Sequence, residues 1–250
     1  TGQPNAMGGR EVGGLANMLA AHMDFEPASI DRMKRFWRTE RVAEKPGLKA
    51  VELFEAIAAG KVKALWIMAT NPVDSMPEAD TVRAAIRACP FVVVSDMNAA
   101  TDTAVEAHVR LPAAGWGEKD GSVTNSERRI SRQRPFLRAP GEARPDWWIV
   151  TQVARRMGHA EAFAYDRPAE IFAEHAALSG FENEGSRDFD LSGLVHGGRC
   201  AARRRCSPMA GSSPLTRGLA SLRWCRRHPW CRRRGCWCSI PAGCAITGTP

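Results

Sequence analysis

Cysteine is almost absent from the first 194 residues of this 250-residue chain, where Cys89 stands alone. One cysteine excludes a disulfide framework and an iron–sulfur site held within these residues, and it fits a reducing, cytoplasmic compartment. No apolar run approaches the roughly 20 residues that a membrane span needs, so we expect no membrane association. The other seven cysteines all lie after Leu194, at positions 200, 206, 225, 231, 236, 238 and 244.

Acidic residues and lysine are missing from residues 195–250, which carry eleven arginines. Since the whole chain has a formal charge of +8, the residues before this tail carry −3. The basic character therefore belongs to the tail and indicates nothing about partners of the rest. A nucleic-acid-binding protein that uses the tail is an alternative, but the tail's cysteines and histidines lack zinc-finger spacing, and we predict no nucleic-acid partner.

Apolar patterns before the tail predict helices that alternate with short strands. ALWIMA (64–69) and FVVV (91–94) are apolar throughout, which is typical of buried parallel strands, and a third strand is predicted at 107–111. We expect residues 24–47 to form an irregular connection. Together these patterns predict an α/β fold built on a parallel sheet. Helices are predicted at 10–23, 48–60, 77–88, 146–157 and 168–178.

Polar residues follow both apolar strands, with Thr70, Asn71 and Pro72 after the first and Ser95 and Asp96 after the second. Ligands of open α/β sheets bind beyond the carboxyl ends of the strands, so these loops form the predicted site. Ordinary turn chemistry is the alternative, because these residue types are common in loops. The histidines before the tail show no ligand spacing, and we predict no protein-held metal here: His22, His108, His159 and His175.

Two further segments are candidates for anion binding. GQPNAMGGREVGG (2–14) is glycine-rich and precedes a predicted helix, so it either presents backbone N–H groups to an anion or simply leads into the helix. GWGEKDGSVTNSERRISRQR (115–134) is polar and lacks apolar periodicity, so it either clamps phosphates or forms a solvated loop. Its length favours a function, because long loops without structure usually have one.

Five segments of the chain, in this order, resemble segments of the assimilatory nitrate reductase catalytic subunits, which belong to the molybdopterin oxidoreductases. The segments are TGQPNAMGGREVGG, ALWIMATNP, FVVVSD, LPAAGWGEKDGSVTNSERRISRQR and PGEARPDWWI. The resemblance implies a Rossmann-like parallel-sheet domain followed by a disordered or non-native tail. It also implies a bis-molybdopterin guanine dinucleotide cofactor with molybdenum, and the two-electron reduction of nitrate to nitrite. Another family member such as a formate dehydrogenase is the alternative, although the opening motif favours nitrate.

The resemblance assigns roles to individual residues by motif match. Gln3 and Arg10 resemble residues near molybdenum in periplasmic relatives, with a spacing one residue shorter, and Arg10 would bind an oxyanion substrate. His108 stands where the family usually has Asp, and we expect this difference to affect loop packing more than chemistry. The predicted contacts to the cofactor, through guanine, ribose or phosphate, are Asn71, Ser95, Asp96, Lys119 and Asp146.

The resemblance also predicts the organisation of the chain. The family's amino-terminal cluster cysteines, molybdenum-ligand region and carboxyl-terminal cofactor domain are not found, so we expect an internal fragment that is inactive alone. Its expected partners are nitrate, the missing domains of the same polypeptide, and an electron-donor protein or reductase subunit. An iron–sulfur cluster is expected in the full-length protein only. The predicted segments are a loop-helix segment near molybdenum (1–47), the α/β cofactor domain (48–180), a linker (181–194) and an aberrant tail (195–250).

The tail resembles the same family when its coding sequence is read in another frame. One set of codons that encodes residues 237–250 can also be translated from one nucleotide earlier. That translation gives LVLNTGRVRDHWHT, which resembles the start of the family's carboxyl-terminal cofactor domain. The same shift at residues 204–215 permits ALFADGRFFTPD, which resembles the linker before that domain.

We therefore predict a frameshift or sequencing error near residues 191–203, which would leave the tail without selected structure or function. Resequencing the coding DNA and weighing the intact expressed protein test this prediction. An unbroken reading frame that agrees with the measured mass would contradict it.

Overall fold

The structure is a computed structural model that describes residues 5–194. Gln3 and the predicted tail lie outside the described residues. The strands are β1 (Ala64–Met68), β2 (Phe91–Asp96), β3 (Val109–Pro112), β4 (Gly121–Thr124) and β5 (Ile130–Gln133). The α-helices are α1 (Ala6–Glu11), α2 (Pro27–Trp37), α3 (Ala50–Ala58), α4 (Pro72–Ser75), α5 (Ala79–Ala88), α6 (Asp146–Ala154) and α7 (Pro168–Gly180). Shorter helical turns lie at Ala20–His22, Ala104–Glu106, Trp116–Glu118, Arg155–His159 and Ser192–Leu194.

The first three strands form a parallel sheet in the order β1-β2-β3. The pairing runs from Ala64 opposite Phe91 to Met68 opposite Ser95, and β3 pairs with the second half of β2. Parallel neighbours need a crossover between them, which α4 and α5 supply between β1 and β2. The predicted α/β fold class and its three strands are confirmed.

Helices α3 and α5 pack against each other and against this sheet. Ile57 of α3, Ile86 of α5 and Val92 of β2 are almost completely buried in the shared core. Burial of each such side chain stabilises the fold by about 1.5–3 kcal/mol. The core therefore holds the sheet rigidly behind the loops at its carboxyl edge.

A second apolar cluster joins residues from both ends of the described range. Met23, Met33 of α2 and Phe172 of α7 contribute to it. Phe189 is fully buried there, with its ring centroid 4.8 Å from that of His22 and 5.4 Å from that of His175. Burial lowers the pKa of His175 to about 4, with a smaller contribution from the charge of His22. Phe189 lies in the predicted linker (181–194), so part of that linker is packed into a core.

Two predictions for the amino-terminal segment were wrong. The helix predicted at 10–23 is absent, because α1 ends at Glu11 and the chain turns at Gly13, whose φ is +75°. A Cβ at Gly13 would lie 2.6 Å from the backbone nitrogen of Ala20, so this turn requires glycine. Residues 24–47 contain the eleven-residue helix α2 instead of an irregular connection. Its proline stands in the first helical turn, where proline is tolerated.

Residues 115–134 are not the structureless loop that the sequence predicted. Strands β4 and β5 pair antiparallel, and the side-chain oxygen of Asn125 accepts the backbone N–H groups of Glu127 and Arg129, at 3.0 Å each. Asp120 and Arg132 form an ion pair across the hairpin. Each strand is only four residues long and largely polar, which is too short for an alternating pattern to stand out.

We expect Phe189→Ala to lower the free energy of unfolding by about 3–5 kcal/mol, because the ring is fully buried. Phe136→Ala is the matched control, since that ring is 75% exposed, and its expected effect is within about 0.5 kcal/mol. Urea unfolding followed by far-UV circular dichroism measures both. Small effects for both variants would contradict the packing of residues 181–194 into the core.

Candidate functional site

The loop after β1 carries Asn71, and Thr103 holds its side chain. Both the backbone N–H and the hydroxyl of Thr103 donate to Asn71 Oδ1, at 3.1 and 2.6 Å. The Thr103 hydroxyl oxygen accepts the backbone N–H of Val73 at 3.1 Å. Ala69 enters this loop with a φ of +51°, a costly conformation for alanine, and its N–H donates to the Ser95 carbonyl at 2.9 Å. The loop is therefore tied to the end of β2.

The end of β2 carries Ser95 and Asp96, which are used differently. Ser95 is buried, and its Oγ accepts the indole N–H of Trp66 at 2.8 Å. Asp96 is half-buried, and its Oδ1 accepts the backbone N–H of Asn98 at 3.0 Å. Its Oδ2 makes no hydrogen bond within residues 5–194. Ser95 thus makes a packing contact, whereas Asp96 keeps one carboxylate oxygen for another donor.

Lys119 and Asp146 form a buried ion pair, with 2.8 Å between Nζ and Oδ2. The two side chains are only 11% and 1% exposed. Asp146 is the first residue of α6, where the helix dipole favours a carboxylate. Its Oδ1 is buried and has no hydrogen-bond partner in the described part of the chain. Such an atom carries a desolvation cost that a ligand donor would relieve.

Backbone hydrogen bonds connect this ion pair to the edge of the sheet. The Asp96 carbonyl accepts the N–H of Ala113 at 2.9 Å. Ala114 donates to the Arg144 carbonyl at 2.9 Å, and the Arg144 N–H donates to the Pro112 carbonyl at 3.1 Å. The chain after β3 therefore runs beside the residues that lead into α6. This arrangement brings the five predicted cofactor contacts to one edge: Asn71, Ser95, Asp96, Lys119 and Asp146.

Arg10 lies on α1, which packs against β4. Asn5 Oδ1 accepts the backbone N–H of Thr124 at 3.0 Å, and Glu11 Oε2 accepts its hydroxyl at 2.7 Å. A Cβ at Gly8 would lie 2.1 Å from Asn5 Oδ1, so a larger residue there would displace the side chain that binds Thr124. The buried Nε of Arg10 has no hydrogen-bond partner among residues 5–194. The helix is thus anchored at both ends and carries an arginine with an unused donor.

Glu11, the neighbour of Arg10 in the chain, is a buried titratable residue that sequence reasoning missed. It is 3% exposed and lines a cavity of about 20 Å³ together with Thr124 and Phe172. Burial raises the pKa of Glu11 to about 7, and the Thr124 hydrogen bond and the charge of Arg128 offset part of that rise. The sequence contains little sign that this glutamate is buried, because a glutamate beside an arginine is normally exposed.

Sequence reasoning did not identify Thr103 either. For His108 it predicted an effect on loop packing, and the structure shows a packing contact within the sheet. Thr103 is fully buried between Asp102 and Ala104, and no sequence pattern marks it. His108 Nδ1 accepts the backbone N–H of Val92 at 3.0 Å, which is a packing role within the sheet. Asn125 and Arg129 belong to the turn of the β4–β5 hairpin.

A family model described as molybdopterin oxidoreductase matches residues 5–156. The chain belongs to the molybdopterin oxidoreductase family. Membership implies a molybdenum–pterin cofactor.

Among residues 5–194 of this molybdopterin oxidoreductase, no group of three or more His, Cys, Asp or Glu residues is placed to hold a metal ion. Over the same residues, no helix has the length and apolar character that crossing a membrane requires.

This molybdopterin oxidoreductase is 63% identical over 195 residues to a nitrate reductase from Klebsiella oxytoca. It is 54% identical over 197 residues to a nitrate reductase from Shewanella frigidimarina. Both alignments cover 78% of this chain, but only 22% and 21% of the relatives. An F420-dependent formate dehydrogenase 2 subunit alpha from Methanococcus maripaludis is 38% identical over 177 residues, or 71% of this chain and 26% of that relative. The chain spans about a fifth of the length of the nitrate reductases.

We expect this molybdopterin oxidoreductase to lose stability as the pH rises through about 7. Glu11 has a pKa of about 7 when folded against an ordinary value of 4.5, so its contribution is complete below pH 4.5 and lost above 7. Glu11→Gln keeps an acceptor for Thr124 without the charge. The variant should be up to roughly 3 kcal/mol more stable than wild type near pH 8, and equally stable near pH 4.5.

Urea unfolding at both pH values measures this difference. Glu127→Gln, which changes an exposed carboxylate in the hairpin turn, is the control and should show no such pH-dependent gain. An equal advantage of Glu11→Gln at both pH values would argue against a buried, titrating carboxyl.

Proposed function

We propose that this chain contributes part of the cofactor and substrate site of a molybdenum-dependent nitrate reductase. The reaction consumes nitrate, two electrons and two protons, and yields nitrite and water. The bound molybdenum cofactor supplies the two-electron chemistry. This chain's residues bind and orient the cofactor and the anion. The identity of 63% to a nitrate reductase, against 38% to a formate dehydrogenase, supports nitrate as the substrate.

The orphaned Oδ1 of Asp146 carries the proposal that the cofactor is the guanine dinucleotide form. Guanine presents N–H donors along one edge, and a buried carboxylate oxygen without a partner fits such a donor. Lys119 holds the other oxygen and compensates the charge. Asp96 offers a further acceptor for a ribose hydroxyl at the same edge. These residues fit one guanine dinucleotide arm, and other domains of the polypeptide would bind the second arm.

Arg10 is the proposed anion-binding group near the substrate. A planar guanidinium recognises planar oxyanions through parallel N–H donors, and nitrate has that shape. The unpaired Nε of Arg10 supports this role, while Thr124 anchors the helix that carries it. We propose Gln3, from the same motif, as its neighbour at the site.

We further propose that an iron–sulfur cluster, held elsewhere in the full-length protein, passes electrons from a donor protein or reductase subunit. The single cysteine before the tail, Cys89, is buried and free, which supports a cluster site outside this segment. A cytoplasmic location is proposed on the same scarcity of cysteine.

Binding of guanosine diphosphate, the soluble end of the dinucleotide, tests the cofactor assignment by isothermal titration calorimetry. We expect adenosine diphosphate to bind at least about tenfold more weakly, because adenine lacks the guanine N1–H donor. Asp146→Asn should weaken guanosine diphosphate binding by about tenfold, whereas Asp80→Asn, at an exposed position on α5, should not. Circular dichroism checks that both variants fold. Equal affinities for the two nucleotides would contradict the guanine site.

The substrate is tested on the complete polypeptide, expressed from the recovered coding region and loaded with cofactor. Reduced-viologen assays should show nitrate reduction, and Arg10→Lys should raise the KM for nitrate because a lysine cannot bind bidentately. Formate oxidation without nitrate reduction would favour the formate dehydrogenase alternative.

A further inference from the structure

We propose that Thr103 is a positioning residue that fixes the side-chain amide of Asn71 with its oxygen turned inward, so that only N–H donors are offered to a ligand. The identity of the ligand rests on the proposed function. The orientation of the amide rests on hydrogen bonds within the chain.

The direction of each hydrogen bond around Thr103 follows from its atoms. A backbone N–H can only donate, so the Asn71 atom that lies 3.1 Å from the Thr103 nitrogen must be the oxygen Oδ1. The Val73 N–H likewise donates to Thr103 Oγ1 at 3.1 Å. The hydroxyl proton is then directed to Asn71 Oδ1, 2.6 Å away. Three bonds therefore agree on one orientation of the amide.

Burial makes this orientation costly to reverse. Thr103 is fully buried and Val73 is nearly so, which keeps water from replacing these bonds. Turning the amide over would place Nδ2 against the Thr103 N–H, two donors facing each other. An unsatisfied buried N–H is strongly disfavoured. Pro72, at the start of α4, further restricts the backbone beside Asn71.

The other end of the amide remains available. Asn71 Nδ2 makes no hydrogen bond within residues 5–194, and the side chain is only half-buried. Its two N–H groups fit acceptor oxygens, such as those of a phosphate or a ribose. Asp96 and Asp146 present acceptors along the same edge of the sheet, so the site offers donors and acceptors at separate positions.

Thr103→Val and Thr103→Ser test the role of the hydroxyl, with guanosine diphosphate as the probe. Valine keeps the shape but removes the hydroxyl, and the dissociation constant should rise about fivefold to tenfold. Serine keeps the hydroxyl, and the dissociation constant should stay within about twofold of wild type. Thermal unfolding verifies that both variants are folded at the temperature of the titration. Equal affinities in the two variants, where Asn71→Ala itself weakens binding, would overturn the proposal.

A double-mutant cycle with Asn71→Ala separates positioning from general loss of structure. If Thr103 acts through Asn71, the double variant Asn71→Ala with Thr103→Val should bind guanosine diphosphate as weakly as Asn71→Ala alone. Losses that add would overturn the positioning role.

Nuclear magnetic resonance distinguishes a failure of this inference from a failure of the proposed function. If Asn71→Ala leaves nucleotide binding unchanged, the cofactor contact is wrong, and the order parameter of the Asn71 side-chain NH₂ group then decides the inference. It should fall in Thr103→Val and be retained in Thr103→Ser. An unchanged order parameter in Thr103→Val would overturn the inference at any nucleotide affinity.

Discussion

Parallel pairing of β2 with β1 on one side and β3 on the other determines where the candidate ligand groups of this protein lie. Strands that run in the same direction end at the same edge, so the loops after them meet there. Asn71 and Asp96 reach this edge directly. Asp146 reaches it because the chain after β3 runs beside the residues before α6. The apolar core behind the strands keeps the edge in place.

Several polar atoms at or near the candidate site are buried without a partner in this chain. Asp146 Oδ1, Glu11 Oε1 and Arg10 Nε are all of this kind within the described range. Folded proteins rarely leave such atoms unsatisfied, because each carries a desolvation cost. Asp146 and Arg10 are positions chosen by motif match, and their unpartnered atoms support a site that is completed by a cofactor, an anion or other parts of a longer polypeptide. A bound group that donates to or accepts from these atoms would relieve that cost.

The sequence predicted the strands well because their apolar residues are consecutive. Residues 64–69 and 91–94 are apolar on both faces, a pattern that buried parallel strands require and loops avoid. The hairpin at 121–133 and helix α2 were missed for the opposite reason. Both have largely polar surfaces, and α2 begins with Pro27, a residue type that interrupts helices elsewhere than in the first turn. In the helix only a few apolar residues, such as Ile30 and Met33, stand at helical spacing among charged ones, and in the hairpin the strands are too short to show a period.

The sequence by itself determined the fold class, the edge predicted to hold a ligand and the family resemblance, because apolar runs and short motifs are local properties of the chain. Only the tertiary structure decided how individual side chains are used. Ser95 turns to Trp66, Thr103 restrains Asn71, and Lys119 pairs with Asp146 across 27 positions of sequence. Hydrogen-bond direction and burial depend on groups that meet only after folding, and no spacing in the sequence encodes which atom of a side chain stays free.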